Sequence, residues 1–65
     1  MYKKYAEIRS ARKMSNLAVA QAANIPPTTI YDWKGRAEKN EDAEISTAAL
    51  KKIAEVLEVS IEDLI

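Results

Sequence analysis

Apolar residues return at intervals of three and four along almost the entire chain, and no stretch alternates apolar with polar residues long enough to make a strand. Tyr2, Tyr5 and Ile8, continued by Arg12, set an apolar stripe along one side of a first helix that ends near Lys13, with the bases on the other side. Ser15 is a good N-cap for a second helix, NLAVAQAA, in which Leu17, Ala20 and Ala23, or Val19 and Ala23, recur at helical spacing. Ala18 stands where a capping box would have an acid. Asn24 ends this helix, because asparagine tolerates the left-handed conformation better than any residue but glycine.

Two prolines start the next element. Pro26 keeps Ile25 out of the α region, and Pro27 at the first helical position loses no hydrogen bond and brings the right φ. A third helix is predicted from Pro27 to about Lys34, with Gly35 close to its end and with Ile30 and Trp33 on its buried side. Two short helices joined by so tight a turn, with small Ala20 letting them approach, form a helix-turn-helix candidate. The polar, aperiodic run RAEKNEDAE reads as a loop. A fourth helix, capped by Ser46 or Thr47, carries Ala49 or Leu50, Ile53, Ala54 and Leu57 on one face. Ser60 then caps a short fifth helix, SIEDLI, with acids in its first turn and Ile61, Leu64 and Ile65 offered to the core. The expectation is an all-α, compact five-helix bundle forming one domain over residues 1–65.

Length and composition restrict what such a bundle does. A chain of 65 residues buries only about 60% of its unfolded surface. Cysteine and histidine are both absent, so disulfides and the usual zinc sites are excluded and no cofactor is expected. The N-terminus MYKKYAEIRS lacks the apolar core of a signal peptide, and no apolar run reaches membrane-spanning length, which predicts a soluble, cytoplasmic protein. Without histidine or cysteine, with a single glycine, and with carboxylates confined to exposed helix faces and one loop, no catalytic pair, nucleophile or phosphate cradle can be assembled, so an enzyme is not expected.

The formal net charge is zero, yet it is unevenly distributed. Through Arg36 the chain carries seven basic and two acidic side chains; from Ala37 onward it carries three basic and eight acidic ones. Either these are two solvated faces, or a basic working half rides on an acidic support.

IRSARKMSNLAVAQAANIPPTTIYDWKGR followed by LKKIAEVLEVSIEDLI resembles the Cro/CI-type helix-turn-helix domain of phage repressors and bacterial xenobiotic-response-element (XRE) regulators. The resemblance runs from about Tyr5 to Ile65: small Ala20, Asn24 where the family usually has glycine, apolar Ile25, Ile30 and Trp33, and the LxVSxEDL ending. It implies a lambda-repressor-like fold and sequence-specific binding of a double-stranded DNA operator in transcriptional regulation, most often as a repressor and as a homodimer on DNA. Two departures stand out. Lys34 occupies the place of the acid with which the family pairs the arginine that Arg9 matches, and the loop after the third helix is longer and acidic.

A helix in the major groove presents the exposed side chains of its first turns to base edges, which makes Pro27, Thr28, Tyr31 and Asp32 the candidate base contacts. Thr28 offers a hydroxyl and a methyl, and the Asp32 carboxylate can accept from a cytosine amino group. Ser15, Asn16, Lys34, Arg36 and Lys13 are the candidate phosphate contacts, Asn16 at the place of the family's usual glutamine. Against these stand plainer roles: Trp33 as a core anchor, Thr29 as a first-turn residue, Arg9 as structural, Tyr5 in the core, and Tyr2 either at the core edge or against a partner. The competing function is a small helix-turn-helix protein that acts chiefly by protein–protein contact, as an antirepressor or antitoxin. Zero net charge and an acidic loop are compatible with that reading.

Overall fold

A computed structural model describes residues 1–65 as four α-helices followed by one 3₁₀ turn. The helices are α1 Tyr2–Ala11, α2 Asn16–Ala23, α3 Pro27–Lys39 and α4 Thr47–Leu57, and the 3₁₀ turn spans Ile61–Asp63. The caps act where the sequence placed them: Ser15 Oγ accepts the Ala18 N–H at 3.0 Å, and Ser46, rather than Thr47, accepts the Ala49 N–H at 3.2 Å. Left-handed residues close three helices without a glycine: Lys13 at φ 57° after α1, Asn24 at φ 56° after α2 and Glu58 at φ 57° after α4. At each, the following N–H reaches back to a helix carbonyl: Met14 to Arg9, Ile25 to Ala20 and Val59 to Ala54.

Two boundaries differ from the sequence reading. α3 does not stop near Gly35 but continues to Lys39, so the loop is confined to residues 40–46. Ala37 extends the buried stripe of Ile30 and Trp33 by one more turn, and Arg, Ala, Glu and Lys at 36–39 all propagate a helix well. Gly35 has no left-handed φ. The supposed fifth helix is a single 3₁₀ turn, held by the Asp63 carboxylate, which accepts from both the N–H and the hydroxyl of Ser60. Three residues are too few for an α-helical hydrogen-bond ladder. Of its apolar residues Leu64 is buried, Ile61 is half-buried, and Ile65 is exposed.

α4 packs its Leu50, Ile53, Ala54 and Leu57 chiefly against α2, where Val19, Ala20 and Ala23 are buried. Ile30 and Trp33 of α3 and Tyr5 of α1 complete this core at 0% exposure. The loop contributes as well: Ala43, within the run read as polar, and Ile45 just after it are both buried. Trp33 explains the Ala43 position, because its Nε1–H donates to the Ala43 carbonyl at 3.0 Å and so ties the loop to α3. At the opposite edge, Arg12 donates to the Leu57 carbonyl at 3.1 Å, with Glu58 at 3.7 Å, and thereby caps the C-terminus of α4. No helix is long and apolar enough to cross a membrane.

Candidate nucleic-acid interface

The turn between α2 and α3 fixes how α3 is presented. Asn24 reverses the chain in the left-handed region, and Pro26, extended at φ −61° and ψ 133°, delivers it into α3 with Pro27 in the first turn. Burial of Ile30 and Trp33 then dictates the remaining directions. Thr28, Tyr31, Asp32, Gly35 and Lys39 fall on the opposite side and are exposed, while Pro27 is half-buried. Tyr31 is 50% exposed, and no packing within the chain accounts for so large an apolar ring at that place.

The flanks of this face are not equivalent. On one flank the Arg36 guanidinium is held twice: Nε donates to Asp32 Oδ2 at 2.9 Å and Nη1 donates to the Glu44 carbonyl at 2.7 Å. On the other flank, Lys34 borders an open groove between α1 and α3, shared with Lys3 and Lys4 over a floor of Met1, Tyr2 and Ala37. Asp32 and Arg36, assigned separately to base and phosphate by sequence, are thus one unit. Their i,i+4 spacing on a helix was a readable sign of it. Lys39, which the sequence reading places in the loop, is the exposed last residue of α3.

The N-terminus of α2 joins α3 through an aromatic cluster. Tyr2 stands edge-on to Trp33 with ring centroids 5.1 Å apart, and Tyr5 lies 5.1 Å from Trp33 at 37°. The Asn16 amide bridges the two tyrosine hydroxyls, accepting from Tyr5 at 2.7 Å and donating to Tyr2 at 3.0 Å. This settles Tyr2 as a core-edge residue. It also engages the Asn16 side chain inward, leaving one amide N–H to point elsewhere. Burial pushes the Tyr5 phenol far above its ordinary value, so it stays a donor to Asn16 across the physiological range. Ser15 and Lys13, both exposed, sit beside Asn16 in the α1–α2 turn.

Arg9 is structural. Its Nη1 donates to the Met14 carbonyl at 2.7 Å, its guanidinium carbon lies 5.9 Å from the Tyr5 ring centre, and its buried Nε has no partner. The ion pairs of the molecule are Arg12 with Glu58 and Arg36 with Asp32, so the acid replaced by Lys34 is not substituted from elsewhere.

The profile of the Cro/C1-type HTH DNA-binding domain matches residues 6–65. The chain belongs to this family. Comparison with curated proteins and with solved structures returned no match. Family membership accounts for the arrangement just described: α2 and α3 are the helix-turn-helix of a DNA-binding domain, and α1, α4 and the 3₁₀ turn are the support that holds its second helix outward. As a Cro/C1-type domain the protein is a DNA-binding regulator of transcription.

Proposed function

We propose that this domain represses transcription by binding a double-stranded operator sequence-specifically, with α3 in the major groove. The observation that carries this reading is the outward face of α3, where Thr28 and Tyr31 stand exposed directly opposite buried Ile30 and Trp33. Pro27, Thr28 and Tyr31 contact base edges. Lys34 and Arg36 on the flanks of α3, with Lys13, Ser15 and the free Asn16 amide N–H at the α1–α2 turn, contact phosphates. One recognition helix reads only a few base pairs, so two copies bind half-sites about one helical turn apart. The pairing surface is the C-terminal segment, where Ile65 is 57% exposed and Ile61 is half-buried. Such a small contact pairs weakly in free solution and gains from an operator that aligns both copies.

Selection of bound sites from random duplex DNA tests the reading, because it reports binding, sequence and symmetry together. On a selected site, log K falls with log salt at about −0.9 per phosphate contact, for roughly 4 to 6 contacts per copy. Thr28→Ala or Tyr31→Ala relaxes preference at particular base pairs by about 1–3 kcal/mol, whereas charge reversal at Lys34 weakens all sequences alike. A flat salt response would remove the DNA reading in favour of a protein partner. Sedimentation with and without the site tests the pairing: a single copy bound at full affinity to a non-palindromic site refutes it.

A further inference from the structure

A carboxylate in the middle of a DNA-facing helix surface repels phosphate, and an exposed i,i+4 ion pair adds little to stability. Asp32 is such a carboxylate, with its side chain 69% exposed and that of Arg36 46% exposed. Neither folding nor charge explains its place. The geometry of Arg36 does.

Two anchors from different elements hold the guanidinium: Asp32, one helical turn back, takes the Nε–H at 2.9 Å, and the Glu44 carbonyl, in the loop, takes an Nη1–H at 2.7 Å. A single anchor would let the planar group swing about its side-chain bonds; two at different nitrogens fix its plane. A guanidinium has five N–H donors, so both on Nη2 and one on Nη1 stay free. Despite both anchors the Arg36 side chain remains 46% exposed. A phosphate oxygen can therefore approach a guanidinium whose orientation is already set, which avoids most of the ordering cost of a long flexible side chain on binding.

We propose that Asp32 is a positioning residue: it accepts from Arg36 Nε and, with the Glu44 carbonyl, holds the Arg36 guanidinium ready for a backbone phosphate of the DNA. Asp32 acts through Arg36 and does not itself read a cytosine. This rests on the DNA-binding reading above, and it reverses the sign that charge alone predicts for Asp32.

The test is the affinity of Asp32→Asn, Asp32→Ala, Arg36→Ala and the double variant for one selected duplex at fixed salt. Asparagine keeps an acceptor for Nε–H while discarding the charge; alanine discards both. Positioning predicts that Asp32→Asn binds at least as tightly as the wild type, that Asp32→Ala binds roughly three- to tenfold more weakly, and that Asp32→Ala brings no loss once Arg36 is alanine. Simple repulsion predicts instead that Asp32→Asn and Asp32→Ala both tighten binding, in either background. That result overturns the proposal, as does an equal loss for Asp32→Ala with and without Arg36. A preference lost at one base pair in both Asp32 variants would return Asp32 to base reading. Unchanged far-UV circular dichroism checks that the fold is intact in each variant. If the wild type binds no duplex from the selection, the DNA reading itself fails and this proposal with it; if the wild type binds and the order of the variants is wrong, only the proposal fails.

Discussion

Replacing Trp33 by alanine should leave the chain largely unfolded. Trp33 is fully buried, pairs with Tyr2 and Tyr5 at 5.1 Å each, and donates to the Ala43 carbonyl at 3.0 Å. Truncating a buried tryptophan costs about 3–5 kcal/mol through lost transfer energy and the cavity left behind. The orphaned Ala43 carbonyl adds about 1 kcal/mol, and more if water does not reach it. For 65 residues, a stability of about 0.05–0.15 kcal/mol per residue gives only ~3–10 kcal/mol in all. The loss thus matches most or all of the total. Trp33→Phe keeps a ring against the two tyrosines but removes the Nε1–H and some volume, so it should cost less, about 1–3 kcal/mol, and remain folded. Urea unfolding followed by far-UV circular dichroism is the right assay, because Trp33 is the sole tryptophan and its fluorescence disappears with it. A cooperative transition for Trp33→Ala at the wild-type midpoint would refute the reasoning. If that variant also lost DNA binding, Trp33 would belong to the interface and not to the core.

Gly35→Ala should raise stability by about 1 kcal/mol, since the residue lies inside α3 with no left-handed φ and open space where its Cβ would sit; an unchanged thermal midpoint would show that α3 frays there. Ser46→Ala should cost about 1 kcal/mol by freeing the Ala49 N–H at the start of α4, read as a lower urea midpoint with an unchanged slope. Burial raises the Tyr5 pKa in the folded state above its ordinary value of 10.0, so the stability it contributes is present below that value and is lost as pH rises beyond it. The urea midpoint of the wild type should accordingly fall in alkali, and Tyr5→Phe should flatten that fall while starting lower, because Asn16 Oδ1 loses its donor.

Where helix ends are set by local chemistry, the chain announces them. Ser15, Asn24, Pro27 and Ser46 each act on backbone groups within a few residues, and each does in the structure what its type predicts. The core sides of α1, α3 and α4 were equally legible, because a buried stripe must repeat at helical spacing whatever it packs against, but in α2 only the fold chose between the two possible stripes: Val19 is buried and Leu17 is 44% exposed. The same holds for the exposed face of α3, which follows from Ile30 and Trp33 by geometry alone.

What tertiary structure decided lies where one element finishes another. Ala43 looks solvated in a run of acids, yet it is buried where its carbonyl accepts from Trp33, ten residues earlier, and Ile45 just beyond that run is buried with it. α3 outruns its predicted end because Ala37 finds the core beneath it, which residues of good helix propensity at 36–39 allow but do not by themselves require. Arg12, one of the bases of the first helix, is drawn to the C-terminus of α4 across 45 residues of sequence, and Asn16 is turned inward by two tyrosines. Long polar side chains reach several ångströms in any direction, so their partners are chosen by whichever backbone carbonyl or hydroxyl the fold happens to bring near. Periodicity can say which side of a helix a residue is on, but the distance to a group far along the chain exists only once the chain has folded.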